Sequence, residues 1–165
     1  MKSDICINIP DGKFNYRVGA IIQHKNRLLM VKNCGDNFYY TVGGRVKFGE
    51  SARETILREA MEETGIPLEI EKLAFIHENF FTFGPEHEPC HEICLFFQMK
   101  PHDKLSKIRQ TFNEAYGEVS IHWLPIAELD SYEIYPNFFK TAFANQYPHI
   151  QNIVSRDSKA DNYHT

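Results

Sequence analysis

Residues 44–66 read GRVKFGESARETILREAMEETGI, and this stretch predicts a single helix with an acidic end. Ser51 is a favourable N-cap, and Glu54 follows three residues later, which is the pattern of a capping box. Gly65 suits the left-handed position that follows many helices. We therefore predict a helix over residues 51–64. Its apolar residues share the buried face: Ala52, Ile56 and Ala60.

Three carboxylates crowd the last turns of this helix. Glu59, Glu62 and Glu63 stand at positions i, i+3 and i+4, which are neighbours on a helix surface. Like charges at this spacing destabilise a helix by roughly 0.2–0.5 kcal/mol per pair, and the C-terminal end of a helix already carries partial negative charge. A divalent cation between the carboxylates would remove both costs, so the sequence predicts a metal site here.

The same stretch resembles the signature of the Nudix hydrolases: Gly, five residues, Glu, seven residues, then Arg-Glu-aliphatic-x-Glu-Glu-x-Gly-aliphatic. Every fixed position is present at the required spacing: Gly44, Glu50, Arg58, Glu59, Ala60, Glu62, Glu63, Gly65 and Ile66. Two mild departures occur, because Val42 stands where the family often has proline and Ala60 is small for an aliphatic position. Neither departure touches a charge. Outside the signature, the order of strands and helices resembles the family out to about residue 145.

The resemblance implies an α/β fold, an α/β/α sandwich with a mixed β-sheet, and a pyrophosphohydrolase activity. It implies Mg²⁺ as cofactor, with Mn²⁺ as a substitute, and oxygen ligands suit both of these cations. The metal ligands implied are the carboxylates of Glu59, Glu62 and Glu63 and a main-chain carbonyl near Gly43. The general base, either one of these acids or a more distant carboxylate, is left open.

Other residues receive roles from the same resemblance. Arg58 stays protonated, so it is expected to orient Glu59 or to pair with Glu50 rather than to bind metal. In the family an acid ahead of the last strand often completes the metal site, and Glu118 or Glu114 is the candidate here.

The substrate-binding residues expected lie near the glycine pair and on the aromatic strands. Paired glycines permit close backbone approach, so Gly44 is expected beside the substrate, and Arg45 beside it is expected to contact phosphates. Phe81 is the candidate for stacking on a base, since every base offers a π-face.

A second group of metal-binding residue types occurs at Cys90, Cys94, His87 and His91. Its spacing matches no common structural zinc pattern, so we do not expect zinc there. Cys94 is expected to lie in a strand as a small hydrophobic residue.

Hydrophobic patterning predicts a β-rich chain around the helix. Strands are expected at residues 5–9, 14–23, 28–32, 38–42, 68–83, 92–100 and 119–123, with a hairpin joining the second and third of these. Residues 101–118 are polar and are expected to form a mobile loop. Pro136 is expected to open a short helix with Phe139, Ala142 and Phe143 on one face.

Length and composition exclude several classes of protein. At 165 residues the chain suits one domain, which we place at residues 1–147, followed by a polar tail at 148–165 that we expect to fray. The net charge of −4 argues against binding to a nucleic acid polymer. The longest apolar run, residues 93–97, is far too short to span a bilayer, and residues 1–13 lack the apolar core of a secretory signal. Four cysteines do not suggest a disulfide framework, so a cytoplasmic setting fits.

We therefore expect a Mg²⁺-dependent enzyme that cleaves a nucleoside diphosphate linked to another group, including nucleoside triphosphates. One alternative is a catalytically silent nucleotide-binding regulator on the same fold. Another is the isomerase branch that uses isoprenyl diphosphates, although its extra catalytic residues cannot be identified in this chain. Specificity in the family comes from loops outside the signature, here residues 33–37, 84–91 and 101–118, so the sequence does not name the substrate. The resemblance also implies a homodimer.

Overall fold

The computed structural model describes residues 2–114, 117–143 and 147–157, which form two mixed β-sheets and two α-helices. The first sheet contains β1 (Cys6–Ile9), β2 (Gly12–Ile21), β6 (Gly43–Arg45), β7 (Ile70–Phe83), β8 (Glu88–Met99) and β12 (Gln151–Arg156). The second contains β3 (Gln23–His24), β4 (Arg27–Asn33), β5 (Tyr39–Tyr40), β9 (Thr111–Glu114), β10 (Gly117–Pro125) and β11 (Ile134–Tyr135). The helices are α1 (Ala52–Thr64) and α2 (Phe139–Ala142). The α/β class with mixed sheets is therefore confirmed.

The strand order brings distant parts of the chain together. The first sheet runs β1-β2-β8-β7-β12, with β6 paired beside β2, and the second runs β11-β5-β4-β10-β9, with β3 beside β4. β2 and β8 are parallel, whereas β7 and β8 are antiparallel, which makes the first sheet mixed. Within the described ranges, no helix combines the length and the apolar character needed to cross a bilayer.

The ends of α1 are those that the sequence predicts. The Glu54 N–H donates to Ser51 Oγ at 3.2 Å, and the Ser51 N–H donates to Glu54 Oε2 at 2.8 Å, so the capping box is present. Gly65 has φ of 71°, and its N–H donates to the Met61 carbonyl at 2.9 Å. Caps of this kind are worth about 1 kcal/mol each, and they fix where the acidic turns of the helix begin and end.

The apolar stripe of α1 is buried between the two sheets. Ile56 and Ala60 are fully buried in one cluster with Val18 of β2 and Val31 of β4. Burial of one aliphatic side chain of this size contributes roughly 1.5–3 kcal/mol. The helix is thus held by its apolar face, which leaves the positions of its carboxylates to be set by polar contacts.

The expected hairpin between residues 14–23 and 28–32 is only partly correct. Lys25 and Asn26 form a turn with φ of 48° and 60°, but only Gln23–His24 pairs with β4. β2 itself pairs with β8 in the other sheet. The reason is that Ile21 packs in one buried cluster while Ile22 packs in the other, so the chain passes between sheets at this point.

The mobile loop expected at residues 101–118 is wrong where this segment is described. It contains a 3₁₀ helix, Asp103–Lys107, and strand β9, which pairs with β10. Leu105 and Phe112 are buried in the same cluster as α1. These two side chains, with the partly buried Ile108, anchor a segment that is otherwise mostly polar.

The fraying expected from residue 148 onward is wrong for Gln151–Arg156. These residues form β12, which pairs in parallel with β7 from Phe75 to Phe80. Ile153 packs against the buried cluster that contains Phe75 and Phe139. The open edge of β7 offers unpaired N–H and C=O groups, and β12 satisfies them. The division of the chain at residues 147 and 148 stays a prediction.

A buried histidine of β7 contacts β12, and its burial predicts that the folded protein loses stability in acid. His77 is 4% exposed, its Nε2 lies 2.9 Å from Ser155 Oγ, and burial lowers its pKa from 6.5 to about 4. Between these two values the unfolded chain binds more protons than the folded one, so stability rises with pH. We expect about 2–3 kcal/mol of stability to be lost as pH falls from about 6.5 to about 4.

Urea denaturation at several pH values measures this loss in the wild type and in His77→Gln. The variant is expected to show a flatter dependence over that window. The exposed residue His149 supplies the control His149→Gln, which should keep the wild-type slope. Equal slopes for all three proteins would contradict the role given to His77.

Candidate active site

The three carboxylates at the end of α1 have different surroundings. Glu63 is only 3% exposed, and its Oε1 accepts a hydrogen bond from the Gly43 N–H at 2.9 Å. The Glu59 side chain is mostly buried, at 16% exposure, whereas that of Glu62 is 57% exposed. The three acids are neighbours on the helix, as their spacing predicts, but Glu63 is buried because it lies against the strand that contains Gly43.

Arg58 contacts three other residues of the signature. Its Nη1 donates to Glu59 Oε1 at 2.7 Å and to Glu62 Oε2 at 3.2 Å, and its Nη2 donates to Glu50 Oε2 at 3.1 Å. Both contacts expected of this residue, to Glu59 and to Glu50, are present. The guanidinium thus offsets part of the repulsion between the carboxylates and ties the loop at Glu50 to the helix.

These contacts also set the protonation of the group. The hydrogen bond from Arg58 holds the pKa of Glu50 below its ordinary value. Burial raises the pKa of Glu59, although the hydrogen bond from Arg58 acts in the opposite direction. Burial lowers the pKa of Arg58, but its hydrogen bonds to Glu50 and Glu59 outweigh that effect and raise the pKa above its ordinary value. Arg58 is therefore a permanent cation within this group.

The glycine pair lets the carboxylates reach the strand β6. In the antiparallel pairing of β6 with β2, Gly44 lies opposite Val18 and Gly43 opposite Gly19. A Cβ at Gly44 would overlap the carboxylate of Glu59, and a Cβ at Gly43, where φ is 151°, would overlap the Val18 carbonyl. Only glycine therefore permits both the close approach and the backbone conformation.

The donor set around the glycine pair fits a hard divalent cation. It consists of carboxylate oxygens on α1 and main-chain oxygens on β6, which are the ligand types that Mg²⁺ prefers. Among the described residues, no three acidic, histidine or cysteine side chains converge closely enough to hold a metal ion by themselves. Mg²⁺ keeps several waters and completes its shell with substrate oxygens, so a site of this kind does not need such a cage.

The remaining acid candidates are not seen beside the helix. Glu118 is exposed on β10, and its neighbour Val119 is the residue that points into the cluster around α1. Glu114 ends β9, and its side chain lies outside the described part of the structure. Whether either acid completes a metal site stays a prediction.

Two of the three predicted substrate residues, Arg45 and Phe81, lie on one sheet face. Arg45 is opposite Arg17 in the pairing of β6 with β2, and its Nη1 is 3.8 Å from Asp4 Oδ2. Phe81 is half-buried on β7, opposite Cys90 of β8. Gly44 and Arg45 are consecutive strand residues, so Arg45 points to the face opposite the Glu59 carboxylate.

Sequence reasoning missed Arg109, which reaches the end of α1 from a distant segment. Its Nη2 donates to the main-chain carbonyl of Glu62 at 2.9 Å, across 47 residues of sequence. The last turn of α1 contains no basic residue of its own. Arg109 therefore supplies the positive charge that a helix C-terminus favours. No local sequence signal announces such a contact, because it depends on how residues 101–110 fold back.

Arg109→Met is expected to lower the free energy of unfolding by about 0.5–1.5 kcal/mol, because a charge-assisted hydrogen bond at the helix end is lost. Urea denaturation measures the change. Lys107→Met is the matched control, since it removes the same charge from an exposed position in the same segment. Equal destabilisation by the two substitutions would contradict a specific role for Arg109.

Two other features lie away from these acids. Cys94 is buried in β8, where burial raises its pKa, as expected of a small hydrophobic residue in a strand. His91 instead lies 2.9 Å from Glu78 and stacks on Phe80, and no zinc cluster occurs among the described residues. A cavity of about 840 Å³ adjoins α2, and its lining includes Lys72, Gln98 and Tyr147 but none of the α1 carboxylates.

Comparison with known proteins identifies relatives of this chain. A family model described as NUDIX domain matches residues 13–143. A MutT-like protein of Streptomyces ambofaciens is 24% identical over 136 residues, which cover 81% of this chain and 79% of that protein. The crystal structure of a mutator MutT protein from Bacillus halodurans is similar with a TM-score of 0.63 and 15% identity, over 88% of this chain and 92% of that chain.

An ADP-ribose pyrophosphatase from Streptococcus suis 89-1591 is also similar in structure. Its TM-score is 0.53 at 15% identity, and the match covers 87% of this chain and 98% of that chain. At these identities the structural likeness shows a shared fold.

Proposed function

Because the chain belongs to the NUDIX family, whose members hydrolyse phosphoric anhydride bonds, we propose that it is a Mg²⁺-dependent pyrophosphohydrolase of nucleotide-type substrates. The substrate class is a nucleoside diphosphate linked to another group, such as a nucleoside triphosphate, ADP-ribose or a sugar nucleotide. The observation that carries this proposal is the arrangement of Glu63 under the Gly43 N–H and Glu59 over Gly44, with Arg58 between Glu59 and Glu50.

The proposed metal ligands are the carboxylates of Glu59, Glu62 and Glu63 and the main-chain oxygen of Gly43, with Glu118 as a further candidate. When bound, Mg²⁺ or Mn²⁺ neutralises charge on the phosphoryl oxygens and lowers the pKa of a bound water. One of these carboxylates, or a more distant one, takes the proton from the attacking water.

The chain's own residues position the reacting groups. Arg58 holds Glu59 against Gly44 and holds the loop at Glu50, which keeps the carboxylates in place as the substrate binds. The absence of a side chain at Gly44 lets the Glu59 carboxylate lie against the strand, and half-exposed Arg45, on the other face of β6, is proposed to donate to oxygens of the bound diphosphate. Phe81 is proposed to stack on the base. Pre-positioning of this kind is the main source of catalysis in phosphoryl transfer.

A substrate panel tests the proposal. It contains nucleoside triphosphates, oxidised nucleotides, ADP-ribose, sugar nucleotides and dinucleoside polyphosphates, each with Mg²⁺, with Mn²⁺ and with excess chelator. ADP-ribose is included because the pyrophosphatase of Streptococcus suis shares the fold. We expect release of a nucleoside monophosphate from at least one class, and loss of that release with chelator. Tight nucleotide binding without turnover on any compound would instead identify a catalytically silent regulator.

We also propose that the protein acts as a homodimer in the cytoplasm. All four cysteines are free thiols, which supports a reducing compartment. Light scattering of the purified protein tests the dimer, and a mass equal to one chain would contradict it.

A further inference from the structure

A group of polar residues lies on the first sheet, on the face opposite the carboxylate of Glu59. It consists of Asn15 and Arg17 of β2, Arg45 of β6 and Glu92 of β8, and we call it the Arg17 cluster. Cross-strand register places Arg17 opposite Arg45 and Asn15 opposite Glu92. Because alternate residues of a strand share one face, all four side chains emerge on the same side of the sheet.

The interior of the Arg17 cluster is buried and its rim is open. Asn15 is 5% exposed, and the Glu92 side chain is 15% exposed. Arg17 and Arg45, by contrast, are each more than one-third exposed. A cluster with buried acceptors and half-exposed donors has the form of a binding site rather than of a surface ion pair.

The contacts inside the cluster leave hydrogen-bonding capacity unused. Arg17 Nε lies 3.9 Å from Glu92 Oε2, and Arg45 Nη1 lies 3.8 Å from Asp4 Oδ2, so both separations are too long for hydrogen bonds. Asn15 Oδ1 and Arg45 Nε are buried and have no hydrogen-bond partner within the described residues. A buried polar atom without a hydrogen bond destabilises the folded protein, and a ligand that pairs with it would remove that cost.

The charge of Glu92 is also only partly compensated. Burial raises the pKa of its carboxyl group, and the nearby guanidinium groups of Arg17 and Arg45 lower it. Lys13 and Glu88, four residues earlier on the same two strands, form a hydrogen-bonded pair at 3.3 Å, and the Glu88 side chain is 43% exposed. Glu92 is therefore both more buried than Glu88 and further from its cation.

We propose that the Arg17 cluster binds the part of the substrate beyond the reacting diphosphate and selects a neutral group with both hydrogen-bond donors and acceptors. Two guanidinium groups can only donate, while Asn15 Oδ1 and the Glu92 carboxylate accept. A nucleobase edge and a sugar with free hydroxyls share this chemistry. A terminal phosphate does not match it, because it offers acceptors only and would place negative charge beside Glu92.

The position of β6 explains how one substrate reaches both faces of the sheet. β6 has three residues, and in the described part of the chain it pairs only with β2. Its other edge pairs with no strand among these residues, and a diphosphate bound at the carboxylates of α1 can pass over this edge to Arg45. This inference rests on the proposed function, because it assigns the second half of the same substrate.

Glu92→Gln and Arg17→Met test the inference with two series of substrates. One series keeps the sugar and varies the base, as in ADP-, GDP-, UDP- and CDP-glucose, and the other keeps ADP and varies the attached sugar. For the preferred compound each variant should raise KM about tenfold to a hundredfold while kcat stays within about twofold, which is the signature of lost uniform binding. Within one series, the differences in kcat/KM between compounds should become small in each variant. The group that varies in that series is the group that the cluster binds.

Glu69→Gln removes a carboxylate that pairs with Lys100 at the surface, so it is the control and should keep wild-type values of kcat and KM. Thermal denaturation shows whether each variant is folded, and Arg17→Met serves if Glu92→Gln does not fold. Unchanged discrimination in both series would overturn the inference, and so would a loss confined to nucleoside triphosphates, which would assign the cluster to a phosphate.

A failure of the proposed function would give a different result from a failure of this inference. In that case the wild type would turn over no compound, and calorimetry with the same two series would test the cluster by affinity alone. Equal affinities of the wild type, Glu92→Gln and Arg17→Met for every compound would then overturn the inference.

Discussion

Replacing Glu62 by glutamine is expected to lower kcat by roughly a hundredfold to a thousandfold while the fold stays intact. A divalent cation supplies several kcal/mol of stabilisation to the charge that develops on phosphoryl oxygens, and each 1.4 kcal/mol is about tenfold in rate. Glutamine keeps the shape of Glu62 but removes the negative charge that would bind the cation. The side chain is more than half exposed, so the substitution opens no cavity.

Steady-state kinetics on the substrate found in the panel measures the effect, together with calorimetry of Mn²⁺ binding. The lost pair between Glu62 and Arg58 is exposed on one side and is worth only about 0.3–0.5 kcal/mol, so the Tm should change by little. Glu69→Gln removes a carboxylate that also forms an exposed pair, with Lys100, and serves as the control. Wild-type turnover and wild-type Mn²⁺ affinity in Glu62→Gln would remove Glu62 from the proposed metal site.

Gly44→Ala is the second substitution with a large expected effect. The added Cβ would lie 2.6 Å from Glu59 Cδ, so the carboxylate must leave the strand and weaken its 2.7 Å contact with Arg58. The carboxylate is the far end of a flexible side chain and can move aside, so the cost to stability is mainly the weakened contact with Arg58, up to about 1 kcal/mol. A shift of about 1 Å in a positioned group can cost about a hundredfold in rate, and we expect at least that loss in kcat.

Gly84→Ala separates the two consequences. Gly84 has φ of 74° and no atom within 4 Å of an added Cβ, so alanine there strains the backbone without touching a carboxylate. It should lower the Tm and leave kcat unchanged, whereas Gly44→Ala should lower both. If the two variants lost activity equally, the close approach of Glu59 to Gly44 would not matter for the reaction.

The helix and its signature could be predicted from sequence because their determinants are local. Ser51, Glu54 and Gly65 each act within one or two turns of α1, and the structure confirms the capping box and the left-handed cap. The pairing of Arg58 with Glu50 and Glu59 was expected for the same reason, since these residues follow one another along the loop and the helix. Contacts between residues this close in sequence depend little on how the rest of the chain folds.

The order of the strands could not be predicted, because it depends on contacts between distant segments. A run of apolar residues such as Ala20, Ile21 and Ile22 indicates burial on both faces but does not say which strand lies alongside. Parallel pairing of β2 with β8 joins segments more than 70 residues apart. Likewise, polar residues at 151–156 gave no sign of a strand, because the edge of β7 decides their conformation.

By itself the sequence determined that this chain forms a helix with defined ends and three carboxylates in its last turns, and that it carries the signature of its family. Only the tertiary structure decided that Glu63 is buried beneath the glycine pair, that Arg109 reaches the end of the helix, and that Asn15, Arg17 and Glu92 meet on one sheet face. The physical reason is the distance along the sequence over which each kind of interaction acts. Capping and helical spacing act over a few residues, whereas burial and cross-strand register arise only when distant segments pack together.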